Sequence, residues 1–355
     1  MKQIILITCL LLYFLSHSQE YGFIPDHLSL LPIQELAKKQ PPSDFEPVYF
    51  EDGSKAIFKN VLPLIIAQKL IPQMFVDQNG DYKALVVKSL LKNEDIRIKY
   101  KDIPESLEKS GHSFGNPDSD TVIINIDGGP ENDLSTYGFE ARYNISGGID
   151  ERNYFLINMR ESQTLHPEET ETEEITWEQA KMYNEKTVKT LYDLITYFKS
   201  QDKKVYVVGG SYGSLVGLKS IVDYNNIADQ YLLLVGRLDM TKAVSEAYSK
   251  GIEANFELDA ITPIIGEKSD NVYTVNMRKI AAAINRDEKY TELLKDKDLS
   301  NLTYIYIEND QRVGKLTQDE INFLTSKNAE VLSVQGRHGN WTKHLKTGLE
   351  LMLNN

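Results

Sequence analysis

Short, almost continuously apolar runs alternate with longer amphipathic segments in the chain from Thr121 onward. Runs of this length and composition are typical of strands that are covered on both faces of a sheet. They are Thr121–Ile126, Tyr154–Asn158, Val205–Val208, Tyr231–Val235, Leu302–Ile307 and Glu330–Val334. Strands that alternate with helices predict an α/β fold, in which helices flank a mostly parallel central sheet.

Capping signals and apolar periodicity predict where the helices lie. Thr176 and Gln179 have the spacing of a capping box, and apolar residues recur on one face as far as Ser200, so this segment predicts a crossover helix. The same capping spacing recurs at Thr317 and predicts the helix between the last two strands. A final helix is predicted from about residue 342 to residue 353.

One interval, residues 240–300, breaks the alternation of strands and helices. It places about sixty residues, largely helical in pattern, between two strands that a short connection could join. A long insertion at such a point predicts a helical cap over an active site, with an ordinary surface insertion as the alternative. The insertion divides the predicted core into a first part, 121–239, and a second part, 301–355.

The region before the core, residues 19–120, has a mixed pattern. A hairpin is predicted at Asp77–Asp81, where turn residues follow one another, and Ala84–Val87 has the composition of a strand. We interpret this region as an N-terminal extension that feeds the first strands of the sheet. The chain is then one large domain with additions.

Residues 1–18 have the composition of a cleaved signal peptide. Lys2 precedes an apolar run from Ile4 to Leu15, and small residues, Ser16 and Ser18, precede the predicted cleavage point. The run is short for a bilayer core of about 30 Å, which argues against a permanent anchor. The mature protein is therefore predicted to be secreted or periplasmic, with no membrane association after cleavage.

Charge and cysteine content exclude several classes of partner. The chain has a net charge of −13 at pH 7. Nucleic acids and anionic membranes are also negatively charged and would repel it, which argues against both as partners. Its one cysteine, Cys9, lies within the predicted signal peptide, so the mature chain has no disulfide and no cysteine metal site. A small molecule or a peptide remains as the predicted partner, and the oligomeric state is left open.

The candidate nucleophile is Ser211, in the sequence Gly209-Gly210-Ser211-Tyr212-Gly213. This G-x-S-x-G pattern follows a predicted strand and precedes a predicted helix, as in a nucleophile elbow. Side chains at Gly209 and Gly213 are expected to collide with neighbouring backbone in the sharp turn. A structural glycine-rich turn is the alternative.

A serine nucleophile needs a base, and the base needs an acid that orients it. In this type of fold the chain order is serine, acid, histidine, which Ser211, Asp310 and His338 satisfy. Asp310 and His338 both follow the carboxyl ends of predicted strands, where α/β sheets place their sites. Glu308 and Asp239 are rival candidates for the acid.

Acyl transfer also needs backbone donors for the oxyanion. The amide of Tyr212, directly after the nucleophile, is the first candidate. The second is expected after an earlier strand, and Gly129 in Asp127-Gly128-Gly129-Pro130 is the candidate there. No metal or cofactor is predicted.

These motifs resemble the proline iminopeptidase branch of the α/β-hydrolases, from about Thr121 to the C-terminus. The resemblance is carried by Gly209–Gly213, Asp127–Pro130, Arg160 and the segments around Asp310 and His338. It implies an eight-stranded sheet with a helical cap. It also implies an activity on peptide N-termini or on small esters and amides.

The chain departs from that family at two motifs. The family usually has His-Gly-Gly-Pro-Gly and Asp-Gln-Arg-Gly, where this chain has Asp127-Gly-Gly-Pro-Glu131 and Asn158-Met-Arg-Glu161. A charged Asp127 is expected to disfavour the oxyanion unless it is paired or points away. Acidic residues of the insertion could bind a substrate ammonium, with a solvated helix face as the alternative: Glu246, Glu253 and Glu257.

The sequence thus predicts a serine hydrolase that works through an acyl-enzyme intermediate. The competing hypothesis is a non-catalytic binding protein on an α/β-hydrolase scaffold, because a fold does not determine a function.

Overall fold

The computed structural model describes residues 24–25, 27–31, 45–50, 53–56, 58, 61, 70–89, 110–132, 134, 139, 142–150 and 152–354. The predicted signal peptide, 1–18, lies outside the described residues. The chain falls into two compact units, Met1–Arg97 and Ile98–Asn355, where the sequence predicted one domain with an extension.

The described residues of the first unit form a sheet of their own, with strand order β1-β4-β5-β2-β3. Its strands are β1 (Ser29–Leu30), β2 (Val48–Phe50), β3 (Lys55–Ala56), β4 (Leu70–Val76) and β5 (Tyr82–Ser89). The interpretation of 19–120 as an extension that feeds the central sheet is therefore wrong for these strands. They pair with one another, and among the described strands of that interval only the last, Gly111–Gly115, joins the central sheet.

The predicted hairpin is confirmed, because β4 and β5 are antiparallel and a turn at Asp77 joins them. The Asp77 carboxylate accepts from the amides of Asn79 and Asp81 at 2.8 and 3.1 Å. Alternate residues of β5 pack on opposite faces, since Leu85 belongs to one apolar cluster and Val86 to another. Both faces of this small sheet are thus covered.

The described residues of the second unit form a seven-stranded sheet and a separate hairpin. The strands are β6 (Gly111–Gly115), β7 (Thr121–Ile126), β8 (Phe155–Met159), β9 (Lys204–Gly210), β10 (Gln230–Leu234), β11 (Ile252–Phe256), β12 (Pro263–Lys268), β13 (Leu302–Ile307) and β14 (Glu330–Val334). The large sheet has the order β14-β13-β10-β9-β7-β8-β6. All neighbouring pairs are parallel except β6 with β8.

Helices cover both faces of this sheet. The α-helices with described bounds are α1 (Glu168–Glu171), α2 (Trp177–Ser200), α3 (Tyr212–Tyr224), α4 (Lys242–Ser249), α5 (Val272–Ala283), α6 (Tyr290–Leu293), α7 (Gln318–Ser326) and α8 (Leu345–Asn354). Apolar residues of α2, α3 and α7 pack on one face, and those of α8 pack on the other. Among the described residues, no helix is both long enough and apolar enough to cross a membrane.

The predicted fold class is confirmed, and so are both capping boxes. Thr176 and Gln179 exchange side-chain and backbone hydrogen bonds at the start of α2. Thr317 and Glu320 do the same at the start of α7. The described sheet has seven strands, one fewer than the resemblance implies.

The insertion, 240–300, is not largely helical, because it contains the β11–β12 hairpin between α4 and α5. Ala254 and Phe256 of β11 pack with residues of α4 in a small apolar core. The insertion meets the loop after β13, where the Phe256 amide donates to the Gln311 carbonyl at 2.7 Å. It therefore lies against the loop that carries Asp310.

Candidate active site

Ser211 stands on a sharp turn between β9 and α3. Its backbone has φ of 52° and ψ of −113°, a left-handed conformation that costs about 1–3 kcal/mol in a non-glycine residue. The Ser211 amide donates to the Leu234 carbonyl on neighbouring β10 at 2.8 Å, which holds the strained residue in place. The turn places the Ser211 hydroxyl at the edge of the sheet where the parallel strands have their carboxyl ends.

The glycines around Ser211 are required by close backbone approach. A Cβ on Gly209 would collide with the Gly213 carbonyl oxygen, and a Cβ on Gly213 would collide with the Ile126 carbonyl oxygen. A Cβ on Gly210 would lie 2.7 Å from the Trp341 ring. The predicted steric role of Gly209 and Gly213 therefore matches the packing of the turn.

The structure brings the three residues of the predicted triad together. Ser211 Oγ lies 2.8 Å from His338 Nε2, and His338 Nδ1 lies 2.7 Å from Asp310 Oδ2. The Asp310 side chain is 1% exposed and that of His338 is 18% exposed. A buried carboxylate thus meets an imidazole that reaches the surface beside the serine hydroxyl.

The Asp310 carboxylate is fixed by its own loop. Its second oxygen accepts from the amides of Arg312 and Val313 at 2.8 and 3.1 Å. One carboxylate oxygen is thereby occupied by backbone, which leaves the other for His338.

The rival acids have other partners. Asp239 accepts from the Thr291 amide at 3.2 Å and from the Thr291 hydroxyl. Glu308 accepts from Ser333 and from the Tyr306 hydroxyl. Neither forms a described contact with His338, so the geometry favours Asp310 among the three candidates.

The loop after β7 lies directly against the serine. A Cβ on Gly128 would be 3.3 Å from Ser211 Cβ and 4.0 Å from Ser211 Oγ. The amide of Tyr212 begins α3, where unpaired N–H groups and the helix dipole favour negative charge. Gly129 and Tyr212, the predicted donors, therefore belong to two segments that meet at Ser211.

Asp127, one of the residues that depart from the family motif, has polar partners at both oxygens of its carboxylate. It forms an ion pair with Arg142. Asn125 Nδ2 donates to one of its oxygens at 3.1 Å, and Asn158 Nδ2 donates to the other at 2.9 Å. Asn158 is the first residue of the other departing motif, so the two changes meet in one hydrogen-bonded cluster.

Arg142 connects this cluster to the turn that carries His338. Its guanidinium lies 5.2 Å from the centroid of the Trp341 ring, a cation–π distance. Trp341 is in the 3₁₀ turn His338–His344 and also packs against Gly210. The same aromatic side chain thus supports both the elbow and Arg142.

Glu161 is a functional candidate that the sequence analysis missed. It follows β8, is 4% exposed, and lies beside Gly129. Burial raises its pKa well above the ordinary value, and the charges of Asp127 and Glu131 raise it further, while hydrogen bonds from the Glu131 amide and Gln163 lower it. The signal in the sequence was its place in the Asn158–Glu161 motif, where the family has glycine.

The acidic residues of the insertion are not a ready ammonium site. Glu253 forms ion pairs with Arg278 and Arg312 at 3.4 and 3.8 Å. Glu246 lies 3.7 Å from Lys242. Glu257 is exposed. The pairing of the first two favours the alternative, a solvated charged surface.

Other candidate sites are few in the part of the chain that the structure describes. No group of three or more potential metal ligands occurs there. A cavity of about 630 Å³ lies in the first unit, lined by residues between Ile24 and Ala84. Its lining contains none of the residues that the sequence singled out for chemistry.

Comparisons with known proteins find similar proteins among solved structures only. No family model matches the chain, and no curated protein matches it. A bromoperoxidase from Bacillus anthracis is 15% identical, with a TM-score of 0.45 over 69% of this chain and 94% of that chain. A lipase-esterase related protein from Clostridium acetobutylicum is 14% identical, with a TM-score of 0.44 over 69% and 99%.

A third structure is an α/β-hydrolase enzyme from a Medee basin deep-sea metagenome library. It is 14% identical, with a TM-score of 0.44 over 68% of this chain and 92% of that chain. Similarity at this level transfers no residue role to this chain. The fold is identified by the molecule itself: a mostly parallel sheet with a serine on a strained strand-to-helix turn at its carboxyl edge is the α/β-hydrolase fold.

Proposed function

We propose that the chain is a serine hydrolase that works through an acyl-enzyme intermediate. The observation that carries this proposal is the continuous contact from Ser211 Oγ through both nitrogens of His338 to Asp310. A histidine with a purely structural role does not require a buried carboxylate on one ring nitrogen and a strained serine on the other, whereas a catalytic histidine requires both.

The chemistry follows from the order of these contacts. His338 Nε2 takes the hydroxyl proton while Ser211 Oγ forms a bond to the substrate carbonyl carbon. His338 then returns the proton to the leaving alcohol or amine as its bond to the carbonyl breaks. Water attacks the acyl-enzyme by the same route, and Asp310 keeps the imidazole oriented throughout.

The developing oxyanion is assigned to the amides of Tyr212 and Gly129. Two preorganised N–H donors of this kind lower the barrier most when the site is shielded from water, and one donor is worth about 10²–10³-fold in rate. Serine, imidazole and carboxylate supply the nucleophile, the base and the orienting charge, so the proposed chemistry requires neither metal nor cofactor.

The proposed substrates are small esters or amides, including the N-terminal residue of a peptide. The finer hypothesis of a proline iminopeptidase-like activity rests on the motifs at Gly209–Gly213 and Asp127–Pro130. It is tested with proline p-nitroanilide, either free or N-acetylated, beside p-nitrophenyl acetate. Hydrolysis of the free anilide alone supports the aminopeptidase, whereas hydrolysis of the acetate alone supports an esterase.

The decisive experiment is labelling of the purified protein with a fluorophosphonate probe. Wild type is expected to be labelled and Ser211→Ala is not. Ser214→Ala is the matched control, because the Ser214 hydroxyl is buried one turn along α3 and contacts two backbone carbonyls. It should label like wild type. Absence of labelling in folded wild type supports the non-catalytic binding protein instead.

Secretion or a periplasmic location is proposed with the enzyme, from residues 1–18. Mass spectrometry of the exported protein is expected to find Gln19 at the N-terminus. An intact Met1 on exported protein would contradict cleavage after Ser18.

A further inference from the structure

We propose that Glu161 is a positioning residue of this site, which fastens the loop that presents the Gly129 amide to the oxyanion. The inference deepens the proposed function and rests on it, because the loop matters only if an oxyanion forms at Ser211. The loop comprises residues 127–131, and we call it the oxyanion loop.

Glu161 and Gln163 hold one residue of the oxyanion loop at both its backbone groups. Glu161 Oε2 accepts from the Glu131 amide at 3.3 Å. Gln163 Nε2 donates to the Glu131 carbonyl at 2.8 Å and also contacts Glu161 Oε2. Both side chains are buried, at 4% and 0% exposure. The pair therefore clamps the end of the oxyanion loop from the turn after β8.

The clamp acts close to the reacting atoms. The other carboxyl oxygen of Glu161 lies beside Gly129, since a Cβ on Gly129 would be 3.4 Å from Oε1. Gly128, the preceding residue, packs against Ser211. A misplacement of about 1 Å near reacting groups costs about 10²-fold in rate, so loss of the clamp is expected to reduce turnover.

The protonation state of Glu161 affects the same step. Burial raises the pKa of its carboxyl well above the ordinary value, which favours the neutral acid over the ionised form. The ionised form would place a negative charge beside the position of the oxyanion. Titratable and charged groups face it from the loop after β7, from α3 and from α5: Asp127 with its partner Arg142, Glu131, Tyr212 and Tyr273.

The sign of the pH effect follows. Activity that depends on neutral Glu161 is present below its raised pKa and is lost as the pH rises through that value. A carboxyl with an ordinary pKa would be ionised throughout the neutral range and would give no alkaline decline.

The test measures kcat and KM for p-nitrophenyl acetate from about pH 6 to about pH 10. Glu161→Gln keeps an acceptor for the Glu131 amide and cannot ionise. We expect its kcat near neutral pH to stay within about 3-fold of wild type, without the alkaline decline. Glu161→Ala is expected to lose about 10- to 100-fold in kcat with a much smaller change in KM.

Two further variants separate fastening from charge. Gln163→Ala removes half of the clamp and no titratable group, so kcat should fall while the alkaline decline remains. Glu169→Gln is the matched control, because Glu169 is an exposed carboxylate that accepts from the Tyr183 hydroxyl at 2.6 Å. It should leave both kcat and the pH profile unchanged.

The inference is overturned if Glu161→Ala keeps full kcat, or if Glu161→Gln loses as much as Glu161→Ala and retains the alkaline decline. Should Glu161→Ala not fold, the pH profile of Glu161→Gln decides alone. Fluorophosphonate labelling keeps the two proposals apart. Unlabelled wild type overturns the proposed function and this inference with it, whereas labelled variants with wild-type kinetics overturn the inference only.

Discussion

The two sides of the proposed site are built on different principles. On the nucleophile side, Ser211, His338 and Asp310 form a direct series of contacts, and backbone amides fix the acid. On the oxyanion side, the loop after β7 carries Asp127 and lies against buried Glu161. The first side resembles the family motif, whereas the second has acidic residues, Asp127, Glu131 and Glu161, where the family usually has histidine or glycine.

The difference shows two ways in which the negative charge of an acidic side chain near the proposed oxyanion is reduced: by an ion pair or by protonation. The Asp127 carboxylate forms an ion pair with Arg142 and accepts hydrogen bonds from the side-chain amides of Asn125 and Asn158. Glu161 has no described cationic partner, and burial raises its pKa so that the neutral acid is favoured. Both arrangements reduce the negative charge beside the proposed oxyanion, so the changed motifs do not contradict the proposed function.

The largest effect is expected on the nucleophile side, from removal of the base. His338→Gln should lower kcat by about 10⁴- to 10⁶-fold, because no group then takes the serine proton. His344→Gln, in the same 3₁₀ turn, is the control and should stay near wild type. Equal activity of the two variants would remove His338 from the proposed mechanism.

The next effect separates two of the three candidate acids, Asp310 and Asp239. Asp310→Asn should lower kcat by about 10⁴-fold, since the amide cannot hold the imidazole in the required tautomer. Asp239→Asn breaks only a contact with Thr291 and should change kcat by less than about 3-fold. A large loss in Asp239→Asn alone would assign the acid to β10 instead of β13.

A smaller effect is expected on the oxyanion side, from unpairing Asp127. Arg142→Ala leaves that carboxylate without its cation and should lower kcat by about 10- to 100-fold. Asp127→Asn should cost less than about 5-fold, and the double variant should recover most of the loss in Arg142→Ala. If the losses of the two single variants add in the double variant, the charge of Asp127 does not cause the loss of kcat in Arg142→Ala.

The smallest effect is expected in the insertion. Glu253→Gln should change KM for a free aminoacyl anilide by less than about 2-fold, because Glu253 is already paired with Arg278 and Arg312. A rise of 10-fold or more, absent with an N-acetylated substrate, would instead identify Glu253 as an ammonium ligand.

The sequence was most informative where local pattern and tertiary environment agree. Leu302–Ile307 has the predicted bounds, because a strand buried between helix layers is apolar along most of its length. Glu330–Val334 also has its predicted bounds, although it is a partly exposed strand at the edge of the sheet. The capping boxes at Thr176 and Thr317 could also be predicted from the sequence, because the hydrogen bonds join residues only three positions apart.

The pattern failed where packing partners are distant or sparse. In the insertion, β12 is mostly exposed and its one partner among the described strands is β11, so no buried apolar run marked it as a strand. The small first-unit sheet was read as part of the central one, because strand pattern predicts a strand but not its partner.

For the proposed site, the sequence by itself determined the order Ser211, Asp310, His338 and the strand ends after which they stand. Those assignments depend on spacing and chain order, which are local properties. Only the tertiary structure decided that Arg142 neutralises Asp127 and that Glu161 is buried beside Gly129. The charge state and partners of a carboxyl depend on residues brought together by folding, and these lie far apart in the chain.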